Sequence, residues 1–183
     1  SAALLVKFLA AEVELLGGAY QKPPESMDIF NGRVVYLVDY SYEFSIMEEL
    51  IQRALRVVYL DHHAMAVKRM LAYSHVDKFD MRFSVMDESM SGVGCVWAWI
   101  KANTHYADCH KPKILKYIQD RDLWKFEFEE LSKNLHEYLQ YRGITVSTML
   151  ELLDYDDSDL VEVFRTGGVL RKKFLNDCKS IIS

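Results

Sequence analysis

Val34-Val35-Tyr36-Leu37-Val38-Asp39 and Val57-Val58-Tyr59-Leu60-Asp61-His62-His63 are two short, unbroken apolar runs that stop abruptly on polar groups. Runs of this length, rich in β-branched residues, suit strands covered on both faces of a parallel sheet. Between them, Ser45-Ile46-Met47-Glu48 has capping-box spacing, and Met47, Leu50, Ile51, Ala54 and Leu55 continue at helical intervals. Strand, helix, strand within about thirty residues is a βαβ unit with parallel strands and a right-handed crossover.

Upstream, Leu4, Leu5, Phe8, Leu9, Val13 and Leu16 predict one amphipathic helix over Ala3 to Leu16, with Gly17-Gly18 as its C-cap. Downstream, Phe79, Met81, Phe83 and Val85 alternate, predicting a further strand nearer the sheet edge. Val93 to Ile100 and Ile114 to Ile118 have helical patterns, the second with Pro112 suited to its first position. From Phe126 the chain reads as mainly helical, interrupted at Gly167-Gly168, with Arg171-Lys172-Lys173 as a solvated face. Tyr106, Tyr117, Trp124, Phe126 and Tyr138 are expected mostly in the core. The expected architecture is α/β, a parallel sheet with helices on both faces over residues 1–125, followed by a helical extension and linker helix over 126–183.

The 183 residues are 50% hydrophobic and 27% charged, enough for a real core. A net charge of −5 provides no global field for a long polyanion, which disfavours extended duplex binding. Cys95, Cys109 and Cys178 are odd in number and show no CxxC spacing, against a disulfide framework or zinc knuckle and in favour of a reducing compartment. No apolar run reaches the ~18 residues of a membrane span, so a cytoplasmic, soluble protein is expected.

In open parallel sheets ligands bind beyond the carboxyl ends of the strands. Asp39 ends one predicted strand, and Asp61, His62 and His63 end the next, so adjacent strands would bring carboxylate and imidazole groups together. Mixed oxygen and nitrogen ligation suits Mn²⁺, Mg²⁺, Fe²⁺ or Co²⁺. A lone polar residue at a strand end is more often a cap; two strands ending alike favour a site. A third element, Asp120-Arg121-Asp122, could add a ligand and a phosphate clamp, although such a triplet is commonly a solvated turn. A zinc site of His105, Cys109 and His110 is the weaker alternative, because Cys109 and His110 are adjacent and lack clear carboxylate partners.

Taken in order, VVYLVDYS (34–41), VVYLDHH (57–63), MSGVGCVWAWI (90–100) and YIQDRDLWKF (117–126) resemble the DHH phosphoesterase superfamily, particularly its exopolyphosphatase-like and oligoribonuclease-like branch. That superfamily includes single-strand exonucleases, nanoRNases, cyclic-dinucleotide phosphodiesterases and class II inorganic pyrophosphatases. The resemblance covers nearly the whole chain. It implies a two-metal phosphohydrolase, with two Mn²⁺ ions, or Mg²⁺ or Co²⁺, in the complete enzyme. Asp39 matches the aspartate that bridges the two ions. His62 matches a ligand of the second ion, and His63 matches the histidine facing substrate phosphate. Asp61 is implied to orient the triplet. Asp122 matches a further ligand of the second ion, with Asp120 as runner-up, and Arg121 would assist His63 on phosphate.

The family's His-x-x-x-Asp-x-Asp-Gly motif would precede Ser1, and its C-terminal substrate-binding domain would follow the linker helix. This chain alone is therefore expected to hold only part of the site. The implied substrate is a phosphorylated small molecule or a short single-stranded oligonucleotide, and a homodimer is compatible with it. The alternatives are polyphosphate or cyclic-dinucleotide hydrolysis, or a catalytically silent nucleotide- or metal-binding module. His75 and His136 are expected outside the site.

Overall fold

A computed structural model describes residues 1–9, 11–18, 23–71 and 84–182. The chain forms two compact units, 1–109 and 110–183. The first is α/β, with a parallel sheet, and the second is helical.

In the first unit, β1 (Val34–Val38), β2 (Arg56–Asp61) and β3 (Val85–Met86) pair in that order, all parallel. β2 is the middle strand, and all its residues after Arg56 are buried, which is why its apolar run is unbroken. β1 is only half-covered, and Val34 is exposed. The edge position expected for the third strand holds among the described strands, but most of the predicted Phe79 to Val85 segment lies outside the described residues.

Helix α2 (Phe44–Arg53) carries the chain from β1 back to β2. Its Met47, Leu50 and Ile51 are buried with Ala54 against Leu37, Val57 and Tyr59, joined by Met70 of α3 (Ala64–Met70). On the opposite face, α4 (Gly92–Asn103) meets the sheet, where Trp99 stands edge-on to Tyr36 at 5.2 Å. Helix α1 (Ala2–Phe8) packs on α4 through Phe8 and Trp97, 5.4 Å apart. Helices thus cover both faces, as expected.

The repeated Val-Val-Tyr-Leu hides a one-residue offset. Leu37 pairs with Tyr59 and Tyr36 with Val58, so the two tyrosines point to opposite faces. Tyr36 meets α4, while Tyr59 enters the core beneath α2. The same offset puts Val38 beside Leu60, so Asp39 and Asp61 emerge at one level.

Several local expectations are corrected. Helix α1 stops at Phe8, with Leu9 extended, and does not reach Gly17-Gly18; Leu15 and Leu16 are exposed and offer no buried stripe to prolong it. The N-cap of α2 is Glu43 without a side-chain cap bond, so Ser45 lies inside the helix and forms no capping box. Leu55 is beyond the helix and exposed. Lys113, not Pro112, immediately precedes helix α5 (Ile114–Asp122).

The second unit begins with α5, which packs on α6 (Glu130–Arg142), so the compact units divide at 109/110, where the sequence suggested 125. Tyr117 joins Phe128 and Phe164 in an edge-to-face group. A short helix, α7 (Val146–Leu152), is capped by Thr145 and leads into α8 (Asp157–Ile182). Helix α8 is continuous through Gly167-Gly168. These glycines let it approach α6: a Cβ on Gly167 would stand 1.9 Å from the Asn134 carbonyl oxygen. Arg171 forms an ion pair with Glu130 of α6 and is not part of a purely solvated face. Among the described residues, no helix is long and apolar enough to cross a membrane.

Candidate metal centre

Asp39 closes β1. Its amide donates to the Leu60 carbonyl at 2.8 Å, extending the ladder by one bond, and its φ of +57° then turns the chain out of the sheet. Aspartate tolerates this left-handed conformation better than most residues. Its carboxylate lies against Gly92, the first residue of α4, where a Cβ would stand 2.5 Å from Asp39 Cγ. Ser91, fully buried, caps that helix by accepting from the Gly94 amide at 3.2 Å. The carboxylate therefore sits at a positive helix end, on a floor that requires glycine.

Asp61 closes β2 and is 1% exposed. Its Oδ1 accepts from the amides of His62 and His63 at 2.7 and 3.1 Å, and from His63 Nδ1 at 2.8 Å. Its Oδ2 accepts from the Tyr59 hydroxyl at 2.5 Å. Burial pushes the Asp61 carboxyl up, but these hydrogen bonds outweigh it and hold the group below its ordinary value. Burial, with Asp61 beside it, pushes the Tyr59 hydroxyl strongly up and keeps it a donor. The Cys95 thiol of α4 lies below, donating to the Asp61 carbonyl at 3.5 Å; burial raises it to about 11.

This network presents two imidazoles to Asp39. His62 Nε2 is 3.4 Å from Asp39 Oδ1, and His63 Nδ1 is 3.7 Å from the same oxygen. The rings of His62 and His63 are 4.4 Å apart. His62 is nearly enclosed, whereas His63 is 61% exposed. One ligand-type atom from each of Asp39, Asp61, His62 and His63 falls within 4.8 Å of the others.

The donor set fits a divalent cation. Ligands at about 2.1 Å from one ion stand about 3.0 Å apart at right angles and about 4.2 Å apart when opposite. The separations of 3.4 and 3.7 Å from Asp39 lie between these limits. Asp61 already has both oxygens engaged by four donors, which leaves Asp39 and His62 as the better placed ligands. Among the described residues, His105, Cys109 and His110 form no comparable gathering.

Asp39, His62 and His63 are thus brought together as their spacing suggested, whereas Arg121 and Asp122 stand on α5 of the second unit. Asp122 is exposed. Asp120 is buried, accepting from the Glu127 and Phe128 amides at 2.7 and 3.3 Å and from the Ser132 hydroxyl, and it ties down the turn after α5. The guanidinium of Arg121 lies 4.4 Å from the Trp124 ring centre. Trp124 is 70% exposed, contrary to the core position expected for most of these aromatics. His136 is half-buried on α6, and His75 lies outside the described residues.

Tyr59, Gly92 and Cys95 were not anticipated. Alternation along β2 could have flagged Tyr59, since residues two apart share a face. Nothing local in the sequence signals that Gly92 meets Asp39.

No protein-family profile matches the chain, and no solved structure does. An uncharacterized protein of Acanthamoeba polyphaga mimivirus is 28% identical over 109 residues, which is 60% of this chain and 23% of the viral protein. The chain thus matches about a quarter of the length of that relative, to which it is similar.

Proposed function

We propose that this chain carries part of the metal centre of a DHH-type phosphoesterase that hydrolyses phosphodiester or phosphoanhydride bonds. The observation that supports this most is the meeting of Asp39 Oδ1 with His62 Nε2 at 3.4 Å across the ends of two neighbouring parallel strands. That meeting does not depend on the motif resemblance, and it falls where α/β sheets bind ligands.

A bound divalent cation would lower the pKa of water and offset charge on phosphate oxygens. Asp39 supplies a carboxylate oxygen to hold such an ion, and His62 supplies Nε2. His63 donates its Nδ1 proton to Asp61, which fixes the ring; as an imidazolium it would also offer Nε2–H to a phosphate oxygen. By resemblance alone, Asp122 matches a metal ligand of that superfamily and Arg121 a phosphate-facing cation. Mn²⁺ is the proposed metal, and the proposed substrates are short single-stranded oligonucleotides in the cytoplasm.

The test is Mn²⁺-dependent cleavage of a dinucleotide, polyphosphate and a cyclic dinucleotide, side by side, by the whole protein. Asp39→Ala should abolish turnover of whichever is cleaved, by at least a hundredfold, while His136→Ala leaves it intact. Turnover retained by Asp39→Ala would contradict the proposal. Mn²⁺ binding without any turnover would favour a silent metal-binding module.

A further inference from the structure

The turn between α5 and α6 departs from what its backbone prefers. Helix α5 ends in a Schellman arrangement: the Lys125 amide bonds the Asp120 carbonyl at 3.0 Å, and the Trp124 amide bonds that of Arg121 at 3.2 Å. The residue at Trp124's position takes a left-handed conformation and is ordinarily glycine. Here it is tryptophan, at φ +54°, followed by Phe126 at +52° and Glu129 at +49°. Three side-chain residues in this region within one short turn are costly, and such strain persists only where the surroundings enforce it. Asp120 enforces it from below, through the Glu127 and Phe128 amides and the Ser132 hydroxyl.

The strain serves no packing purpose for the indole. Trp124 is 70% exposed, while Trp97 and Trp99 are 8% and 5% exposed. Arg121 lies over the Trp124 ring at 4.4 Å and Phe126 stands edge-on to it at 5.7 Å. Lys133 lies over the Phe126 ring at 5.1 Å. With the residue 70% exposed, much of the indole surface stays in solvent beside the guanidinium.

We infer that this turn is a nucleobase-stacking platform for single-stranded nucleotides, with Trp124 as the stacking surface and Arg121 and Lys133 as cations for the attached phosphate. Every base offers a π-face to an exposed indole, and stacked aromatics beside cations are how proteins hold single strands without reading sequence. A guanidinium that lies over an aromatic ring can still donate N–H groups to phosphate. A protein partner would call for an extended apolar patch, whereas Trp124 is flanked by the exposed Asp122, Lys125 and Glu127. The ligand class and Arg121 are shared with the function proposed above, on which the choice of ligand rests, but stacking requires neither a metal ion nor hydrolysis and is tested separately from Asp39, His62 and His63.

Trp124 is its own reporter, because the other two tryptophans are buried. The experiment titrates 5′-phosphorylated diadenylate into the protein in EDTA, following tryptophan emission, with equilibrium dialysis in parallel. Saturable quenching is expected, with none from ribose 5-phosphate or pyrophosphate, which lack a base. Trp124→Ala should weaken dialysis binding at least tenfold, Trp124→Phe should restore most of it, and Arg121→Gln should weaken it severalfold. Trp124→Gly should raise the thermal midpoint while losing binding, a pairing that a structural tryptophan would not give. Asp39→Ala should leave quenching unchanged, so loss of the metal site and loss of the platform read out separately. Absence of saturable quenching in the wild type would overturn the inference. So would wild-type dialysis binding in both Trp124→Ala and Trp124→Gly.

Discussion

Asp61 and Asp120 are both nearly excluded from solvent, at 1% and 4%, and both accept from two backbone amides of residues that follow them. Asp61 does so at a strand end and draws His62 and His63 into a shared space with Asp39. Asp120 does so in the last turn of a helix and holds a strained turn whose largest side chain faces outward. A satisfied buried carboxylate can therefore make polar groups converge or put an apolar one on display. Which of these happens depends on the frame around it. The parallel register sets Asp39 and Asp61 at one level, whereas the end of α5 leaves the chain free to turn away.

The largest effect should come from Asp61→Ala, which removes at one stroke the carboxylate acceptor of the buried Tyr59 hydroxyl and of the His62 and His63 amides. A loss of about 3–5 kcal/mol is expected in urea denaturation followed by the buried tryptophans. A loss below about 1 kcal/mol would mean that water replaces the carboxylate at little cost. Asp120→Ala should cost less, about 2 kcal/mol, because Glu127 and Glu129 are exposed and water can reach their turn. Acrylamide quenching of Trp124 should change in the same variant, and an unchanged profile would separate the strain from its tie.

Gly92→Ala probes the floor of the first site. A Cβ 2.5 Å from Asp39 Cγ must displace the carboxylate, so Mn²⁺ affinity should fall about tenfold while stability changes by about 1–2 kcal/mol. Unchanged affinity in calorimetry would show that Asp39 can move without consequence. The smallest effect concerns Cys95, whose thiol burial holds at about 11. At pH 8 iodoacetamide should modify the exposed Cys109 and leave Cys95 untouched until the chain unfolds, as peptide mass mapping would show.

The strand-end site was legible because its cause is local. A buried central strand must be apolar until it leaves the sheet, so Asp61 and the two histidines mark where β2 ends, and Asp39 does the same for β1. The core face of α2 was legible for the same reason, through Met47, Leu50 and Ile51. Pairing was not: the repeated tetrapeptides invite alignment residue by residue, but the offset that separates Tyr36 from Tyr59 is set by packing on both faces. Gly167-Gly168 reads as a break because glycine is a weak helix former, yet its role is to admit the Asn134 backbone of a helix distant in sequence. Trp124 was misread because a large aromatic next to a helix end usually turns inward, and nothing in the triplet Asp120-Arg121-Asp122 indicates that the first aspartate is a buried tie.

The account rests on Asp39 and His62 sharing an ion. Isothermal titration of Mn²⁺ into the wild-type chain, and into Asp39→Ala, His62→Ala and His136→Ala, tests it most directly. Binding lost in the first two variants and kept in the third is the predicted result; equal Mn²⁺ affinity in Asp39→Ala and wild type would contradict it.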